Sequence, residues 1–141
     1  MSIEEKQQEI IEEFSLFDDW MDKYEHIIET GKDLPEIDEE HKVDENLIKG
    51  CQSRVWLHAE MDDEGKVLFT ADSDAIITKG LVALMVRVLS GQEPKEIAES
   101  DLHFVNDIGL HEHLSPTRSN GLVSMIKQMK MYGLAFQAKT H

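Results

Sequence analysis

The stretch Val55-Trp56-Leu57-His58-Ala59-Glu60-Met61-Asp62-Asp63-Glu64-Gly65-Lys66-Val67-Leu68-Phe69-Thr70-Ala71 decides the fold class. Two runs, 55–61 and 66–71, carry the Val, Phe and Trp that suit strands. Between them lie Asp62, Asp63, Glu64 and Gly65, a turn that closes on a glycine, so the segment reads as a β-hairpin.

Upstream the pattern is helical. Ser2-Ile3-Glu4-Glu5 forms a capping box, in which serine and glutamate satisfy each other's backbone N–H groups. Ile10, Phe14, Phe17, Met21, Tyr24 and Ile28 then recur in alternating steps of four and three, one face of a helix. Ser15 and the Asp18-Asp19 pair offer a restart midway, which would give two shorter helices. Gly31 suits a left-handed terminator. Residues 32–45 are polar, contain Pro35 and lack periodicity, which predicts a loop.

Downstream, Asp72-Ser73-Asp74 is expected to cap a helix over 75–90. That helix is apolar nearly all round (Ile76, Ile77, Leu81, Leu84, Met85, Val88, Leu89), the mark of a central buried element, and Gly91 ends it. Pro94 opens a short helix to Ala98, and another covers 102–108. Ser115-Pro116 starts a terminal helix with Leu122, Met125, Met129, Tyr132 and Phe136 on one face. The order predicts one α+β domain over 1–141, with helices packed on one face of a small antiparallel sheet of two or three strands.

Composition narrows the function classes. The net charge is −15, and residues 1–46 hold seventeen Asp/Glu against four Lys/Arg. Such a chain repels nucleic acid and anionic membrane, and neither is expected as a partner. No apolar run reaches the length of a membrane span, and the start is acidic rather than leader-like, so the expected location is the cytoplasm. One cysteine excludes an internal disulfide and fits a reducing compartment.

No phosphate-binding loop, dinucleotide fingerprint, nucleophile elbow or His-Glu-x-x-His occurs. His111 and His113 could ligate a metal, but with no cysteine nearby they read as solvated residues in a loop, and no metal is expected. The carboxylates of Asp62-Asp63 and of Asp72 with Asp74 read as turn formers and caps.

The arrangement that stands apart is Asn46-Leu47-Ile48-Lys49-Gly50-Cys51-Gln52-Ser53-Arg54-Val55-Trp56. The sole cysteine follows a glycine at a loop tip and precedes a strand. Lys49 and Arg54 bracket it with positive charge that favours the thiolate. The residues alone leave two readings open, a small buried filler and a reactive thiol. A single reactive thiol cannot resolve its own disulfide or build a four-thiolate metal site. It could serve as a hydrolytic nucleophile if a base were supplied, or accept a group from a partner and pass it on.

Gly50-Cys51-Gln52-Ser53-Arg54-Val55-Trp56 resembles the active-cysteine segment of the SufE family. Asp72-Ser73-Asp74-Ala75 leading into Lys79-Gly80-Leu81 resembles that family's second block, and His113-Leu114-Ser115-Pro116-Thr117-Arg118-Ser119-Asn120-Gly121-Leu122 its third. The blocks stand in family order over nearly the whole chain. The resemblance implies a SufE/IscU-like fold and a sulfur acceptor. Cys51 would take sulfane sulfur as a persulfide from a pyridoxal-phosphate cysteine desulfurase of the SufS type, stimulate it, and pass sulfur to the SufBCD iron–sulfur assembly complex. Cys51 is then the persulfide-forming nucleophile, with Gly50, Gln52, Arg54, Asp74 and Arg118 in support. The pyridoxal phosphate belongs to the partner, so no cofactor is expected in this chain.

Within that reading, Arg118 is expected to orient the cysteine loop or the transferring sulfur. Asp74 is expected to cap its helix rather than tether the loop, and Trp56 to be an anchor rather than a participant. The acidic N-terminal third disfavours a thiolate, so the activating charge is expected from the partner on docking. Three alternatives stand beside this: a CsdE-type acceptor for another desulfurase, an IscU-type scaffold, which one cysteine disfavours, and a stand-alone thiol peroxidase or hydrolase. Oligomeric state is left open, a homodimer included.

Overall fold

A computed structural model describes residues 2–35, 37–51 and 53–139, the side chain of His111 excepted. Helix α1 (Ile3–Ser15) begins at the capping box: Glu5 N–H donates to Ser2 Oγ at 3.1 Å, and Ser2 N–H to Glu5 Oε1 at 3.3 Å. The chain breaks at Ser15 and restarts as α2 (Trp20–Lys32), where Asp19 Oδ1 accepts from Asp22 N–H at 2.9 Å. The acidic pair therefore divides the N-terminal helical pattern in two. Arg87 reaches across from the third helix to Glu9 at 2.9 Å and to Glu13, tying α1 down.

Gly31 does not terminate α2 in the left-handed conformation. It lies inside the helix, is buried, and faces Gly80 of α3 (Ile76–Leu89). A Cβ on Gly31 would stand 2.9 Å from Gly80 N, and one on Gly80 would stand 2.2 Å from the Ile27 carbonyl oxygen. The two glycines let α2 and α3 pack backbone to backbone, and α2 ends one residue later with Asp33 in ordinary right-handed geometry.

Residues 33–35 and 37–46 form the expected loop, tightened by 3₁₀ turns at Glu39–His41 and Asp44–Asn46. Strands β1 (Val55–Met61) and β2 (Val67–Ser73) pair antiparallel from Val55↔Ser73 to Met61↔Val67. Asp62 Oδ1 accepts from the Glu64 and Lys66 N–H groups at 2.9 Å each, and Gly65 takes a φ of 80°, closing the turn. The second strand starts one residue later and ends two residues later than its sequence pattern suggested, because pairing with β1 carries it through Asp72 and Ser73.

Among the described residues the sheet has two strands. Val55, Leu57, Val67, Phe69 and Ala71 on its inner face are buried with α3, whose Leu81, Leu84, Met85, Val88 and Leu89 are all at 1% exposure or below. On the outer face the 3₁₀ segment lies against the strands: His41 stacks on His58 at 3.6 Å, and Lys42 Nζ sits 5.3 Å over Trp56 and 2.8 Å from Asp72. Both strand edges also meet chain. Ile48 N–H donates to Val55 O at 2.9 Å on the β1 side. On the β2 side Val67 N–H donates to Gln92 O at 2.9 Å, and Phe69 N–H to Ser90 Oγ at 2.9 Å.

Ala75, not the acidic triplet, holds the N-cap position of α3, and no side chain caps that helix. Ser73 Oγ instead accepts from Ala75 N–H at 3.2 Å, which occupies the serine in the strand-to-helix bend. After α4 (Pro94–Glu99) and α5 (Phe104–Asp107), the supposed loop holding the histidine pair is a one-turn helix, α6 (Leu110–His113), entered through Gly109 at a φ of 81°. His113 is exposed, as expected, while its ring stacks on Trp20 at 4.1 Å and its carbonyl accepts from Tyr24 Oη at 3.0 Å. Helix α7 (Pro116–Lys139) buries Gly121, Leu122, Met125, Met129 and Gly133.

Candidate functional site

Cys51 lies between the 3₁₀ turns and β1, directly after Gly50. Gly50 has a φ of 91°, the left-handed region that glycine enters without strain, and a Cβ there would stand 2.5 Å from Ser124 Oγ. The loop thus runs close over α7. Beyond the cysteine it is fastened to the start of α3: Arg54 N–H donates to Asp74 Oδ1 at 3.1 Å, and Asp74 N–H donates back to Arg54 O at 3.3 Å. Asp74 therefore tethers the cysteine loop and does not cap its helix.

The thiol is half-buried and donates to the Gly121 carbonyl oxygen at 3.6 Å. It forms part of the wall of a cavity of about 360 Å³ shared with Ser53, Thr78, Thr117, Arg118 and Gly121. Arg118 is placed there by the first turn of α7, where its N–H donates to Ser115 Oγ at 3.3 Å, the N-cap expected from Ser115-Pro116. Burial pushes the Cys51 thiol above its ordinary range, and burial is the cause that moves it. Lys49 and Arg54 are exposed and do not lower it.

Of the residues expected at the site, Cys51 and Arg118 meet at the cavity, while Gly50, Arg54 and Asp74 shape the loop. Gln52 lies outside the described residues. Trp56 stands on the outer face of the hairpin beneath Lys42. Thr78 was missed by sequence reasoning, although a lone hydroxyl residue on an apolar helix was there to be read. Among the described residues, the side chains that bring three ligand atoms together are Asp38, Glu40 and His41.

The three sequence blocks converge on this cavity: Cys51 and Ser53 from the first, Thr78 and Leu81 from the stretch of the second, and Ser115, Thr117, Arg118 and Gly121 from the third. The whole segment 8–133 matches the family described as "SufE: Fe-S metabolism associated domain". The chain belongs to the SufE family. It is 46% identical over 126 residues to a SufE-like protein of Rhizobium meliloti, covering 86% of this chain and 90% of that one. A SufE-like protein of Rhizobium etli is likewise 46% identical over 126 residues, covering 86% and 85%. SufE-like protein 1 of Arabidopsis thaliana, named as chloroplastic/mitochondrial, is 41% identical over 134 residues, which are 95% of this chain and 36% of that one. The fold matches the solution structure of a hypothetical protein from Thermus thermophilus, with a TM-score of 0.78 at 21% identity over 94% of this chain and 96% of that one. Membership ties the chain to iron–sulfur metabolism. Among the described residues no helix is long and apolar enough to cross a membrane.

Proposed function

We propose that this SufE-family chain accepts sulfane sulfur on Cys51 from a pyridoxal-phosphate cysteine desulfurase of the SufS type and delivers it to an iron–sulfur assembly complex of the SufBCD type. The observation that carries the reading is a sole thiol on the wall of a cavity with room for an added sulfur, in a loop that is tethered at Arg54 to Asp74. Cys51 packs against the core on one side, and the cavity it borders is lined by Leu81 and Met125 together with the hydroxyl residues Ser53, Thr78 and Thr117 and by Arg118, a mixed wall rather than a wholly apolar one.

In the step itself the Cys51 thiolate attacks the terminal sulfur of the desulfurase persulfide. The new S–S bond forms as the old one breaks, and the desulfurase sulfur leaves as a thiolate that takes up the proton Cys51 released. The desulfurase is thereby cleared for its next turnover, which is how the acceptor stimulates it. At rest the buried thiol, with its proton directed at Gly121 O, is a poor nucleophile. Docking must draw the loop out or bring positive charge to it. A lone free thiol of this kind suits a reducing compartment, and we place the protein in the cytoplasm.

The test is intact mass after incubation with the same organism's cysteine desulfurase and L-cysteine. A gain of one sulfur, about 32 Da, reversed by reductant and absent in Cys51→Ser, is the expected result. No gain in mass together with unchanged desulfurase turnover would sink the reading.

A further inference from the structure

Four polar side chains are buried among the described residues: Gln7, Ser73, Thr78 and Gln92. Gln7 donates to Asp101 O at 3.0 Å and accepts from Phe104 N–H at 3.1 Å, Ser73 accepts from Ala75 N–H, and Gln92 is engaged as well. Thr78, at 7% exposure, has a hydroxyl with no partner among the described residues. The usual recourse of a helical threonine is donation to the carbonyl one turn back. Thr30 does this, to His26 O at 2.9 Å, and Thr78 does not. The fully buried side-chain N or O atom left without a partner among the described residues is Trp20 Nε1, so the Thr78 oxygen is not sealed off and its hydroxyl stands free to donate. Thr78 lines the cavity that Cys51 borders.

The chemistry of loading supplies the missing partner. The unloaded thiol is a donor and is satisfied by an acceptor, Gly121 O. A persulfide is a stronger acid than the thiol it grows on, so at neutral pH its terminal sulfur is an anion. An anion cannot donate to a carbonyl, and in a half-buried setting it needs donors of its own. Arg118 lines the same cavity but is exposed, whereas Thr78 is held by the most buried helix of the fold.

We propose that the Thr78 hydroxyl is the hydrogen-bond donor that receives the terminal sulfur of the Cys51 persulfide. The inference rests on the sulfur-acceptor reading and deepens it: the cavity is a storage pocket, and loading exchanges an acceptor, Gly121 O, for a donor, Thr78 Oγ1. Thr78 thereby lengthens the life of the stored sulfur against free thiols and leaves the unloaded thiol untouched.

The experiment loads the protein with inorganic polysulfide, so that no desulfurase is involved. The Cys51 thiolate attacks a chain sulfur, an S–S bond of the polysulfide breaks, and the shortened chain leaves with the electron pair and takes up the proton. After desalting, loss of the added sulfur to dithiothreitol is followed by intact mass for the wild type, Thr78→Val and Thr78→Ser. Thr78→Val is expected to lose its sulfur on the order of tenfold faster, as for removal of one hydrogen bond to a charged group. Thr78→Ser is expected to hold it near the wild-type time, and all three unloaded proteins to alkylate with iodoacetamide at equal rates. Should Thr78→Val melt early, Thr78→Ala carries the comparison. A desulfurase that fails to load the wild type counts against the acceptor reading, whereas the polysulfide result addresses Thr78. Equal lifetimes in wild type and hydroxyl-free variant, a serine variant as short-lived as valine, or a wild type that holds no sulfur overturns the proposal.

Discussion

The carbonyl of Gly121 faces the thiol of Cys51 at 3.6 Å, and a Cβ on Gly121 would come to 3.5 Å from the same sulfur. That spacing is ordinary contact, unlike the 2.5 Å that would separate a Cβ on Gly50 from Ser124 Oγ. The two glycines flanking the site therefore answer differently to the same substitution.

Gly121→Ala should stabilise the protein by about 0.5–1 kcal/mol, since alanine is the better residue inside a helix and nothing has to move. Its methyl group also fills space beside the thiol, so alkylation by iodoacetamide should slow. Gly50→Ala should cost about 1–3 kcal/mol, because alanine is strained at that φ and meets Ser124. Paired urea titrations measure both; an equal response at the two positions would count against the geometry.

Asp74→Ala removes the acceptor that holds Arg54 N–H and frees the strand-side end of the cysteine loop. The stability loss should be small, about 0.5–1.5 kcal/mol, as for one hydrogen bond. Alkylation of Cys51 should accelerate several-fold, and Asp74→Asn, which keeps a side-chain carbonyl, should fall between. No change in alkylation in either variant would mean that the tether does not restrain the loop.

Burial raises the Cys51 thiol, so its alkylation rate should still be climbing at pH values above the ordinary thiol midpoint of about 8.5. In complex with a desulfurase the midpoint should drop, because activation comes with docking. A midpoint below the ordinary range in the free protein would contradict the resting arrangement described here.

His103 bridges Glu4 at 2.9 Å and Asp107 at 2.5 Å, and the hydrogen bond to Asp107, followed by that to Glu4, raises it above its usual range. A group raised on folding stabilises fully below its unfolded value and loses that contribution as pH rises through the folded one. The Glu4 partner, held below its ordinary range chiefly by Gln8 and His103, keeps the lower edge of the window in the acid carboxylate range. Thermal melts of wild type and His103→Gln should thus differ most between about pH 5 and 6.5 and converge above the raised histidine value. A difference independent of pH would assign His103 a packing role.

The hairpin, the central apolar helix and the N-caps at Ser2 and Ser115 were legible because each is set by neighbours in sequence: a two-residue alternation, a helical period, a hydroxyl before a first turn. Gly31 was not, because a helix-ending glycine and a helix-packing glycine look alike until Gly80, forty-nine positions away, is known to face it. Asp74 misled for a related reason. A carboxylate just before a helix is the ordinary cap, and only the hairpin register, which brings Arg54 alongside, redirects it. Cys51 could be singled out from its glycine and flanking charges, but its cavity is assembled from α3 and α7 and so lies beyond any local pattern.

A sheet of only two strands has no interior; each strand is an edge. Here the β1 edge meets Ile48, and the β2 edge is occupied by Ser90 and Gln92. An incoming extended segment would find these rungs already taken, and the route by which small sheets recruit further copies into aggregates is narrowed at its first step. A molecule that must offer one loop to successive partners can thus be adhesive at that loop without being adhesive along its strands.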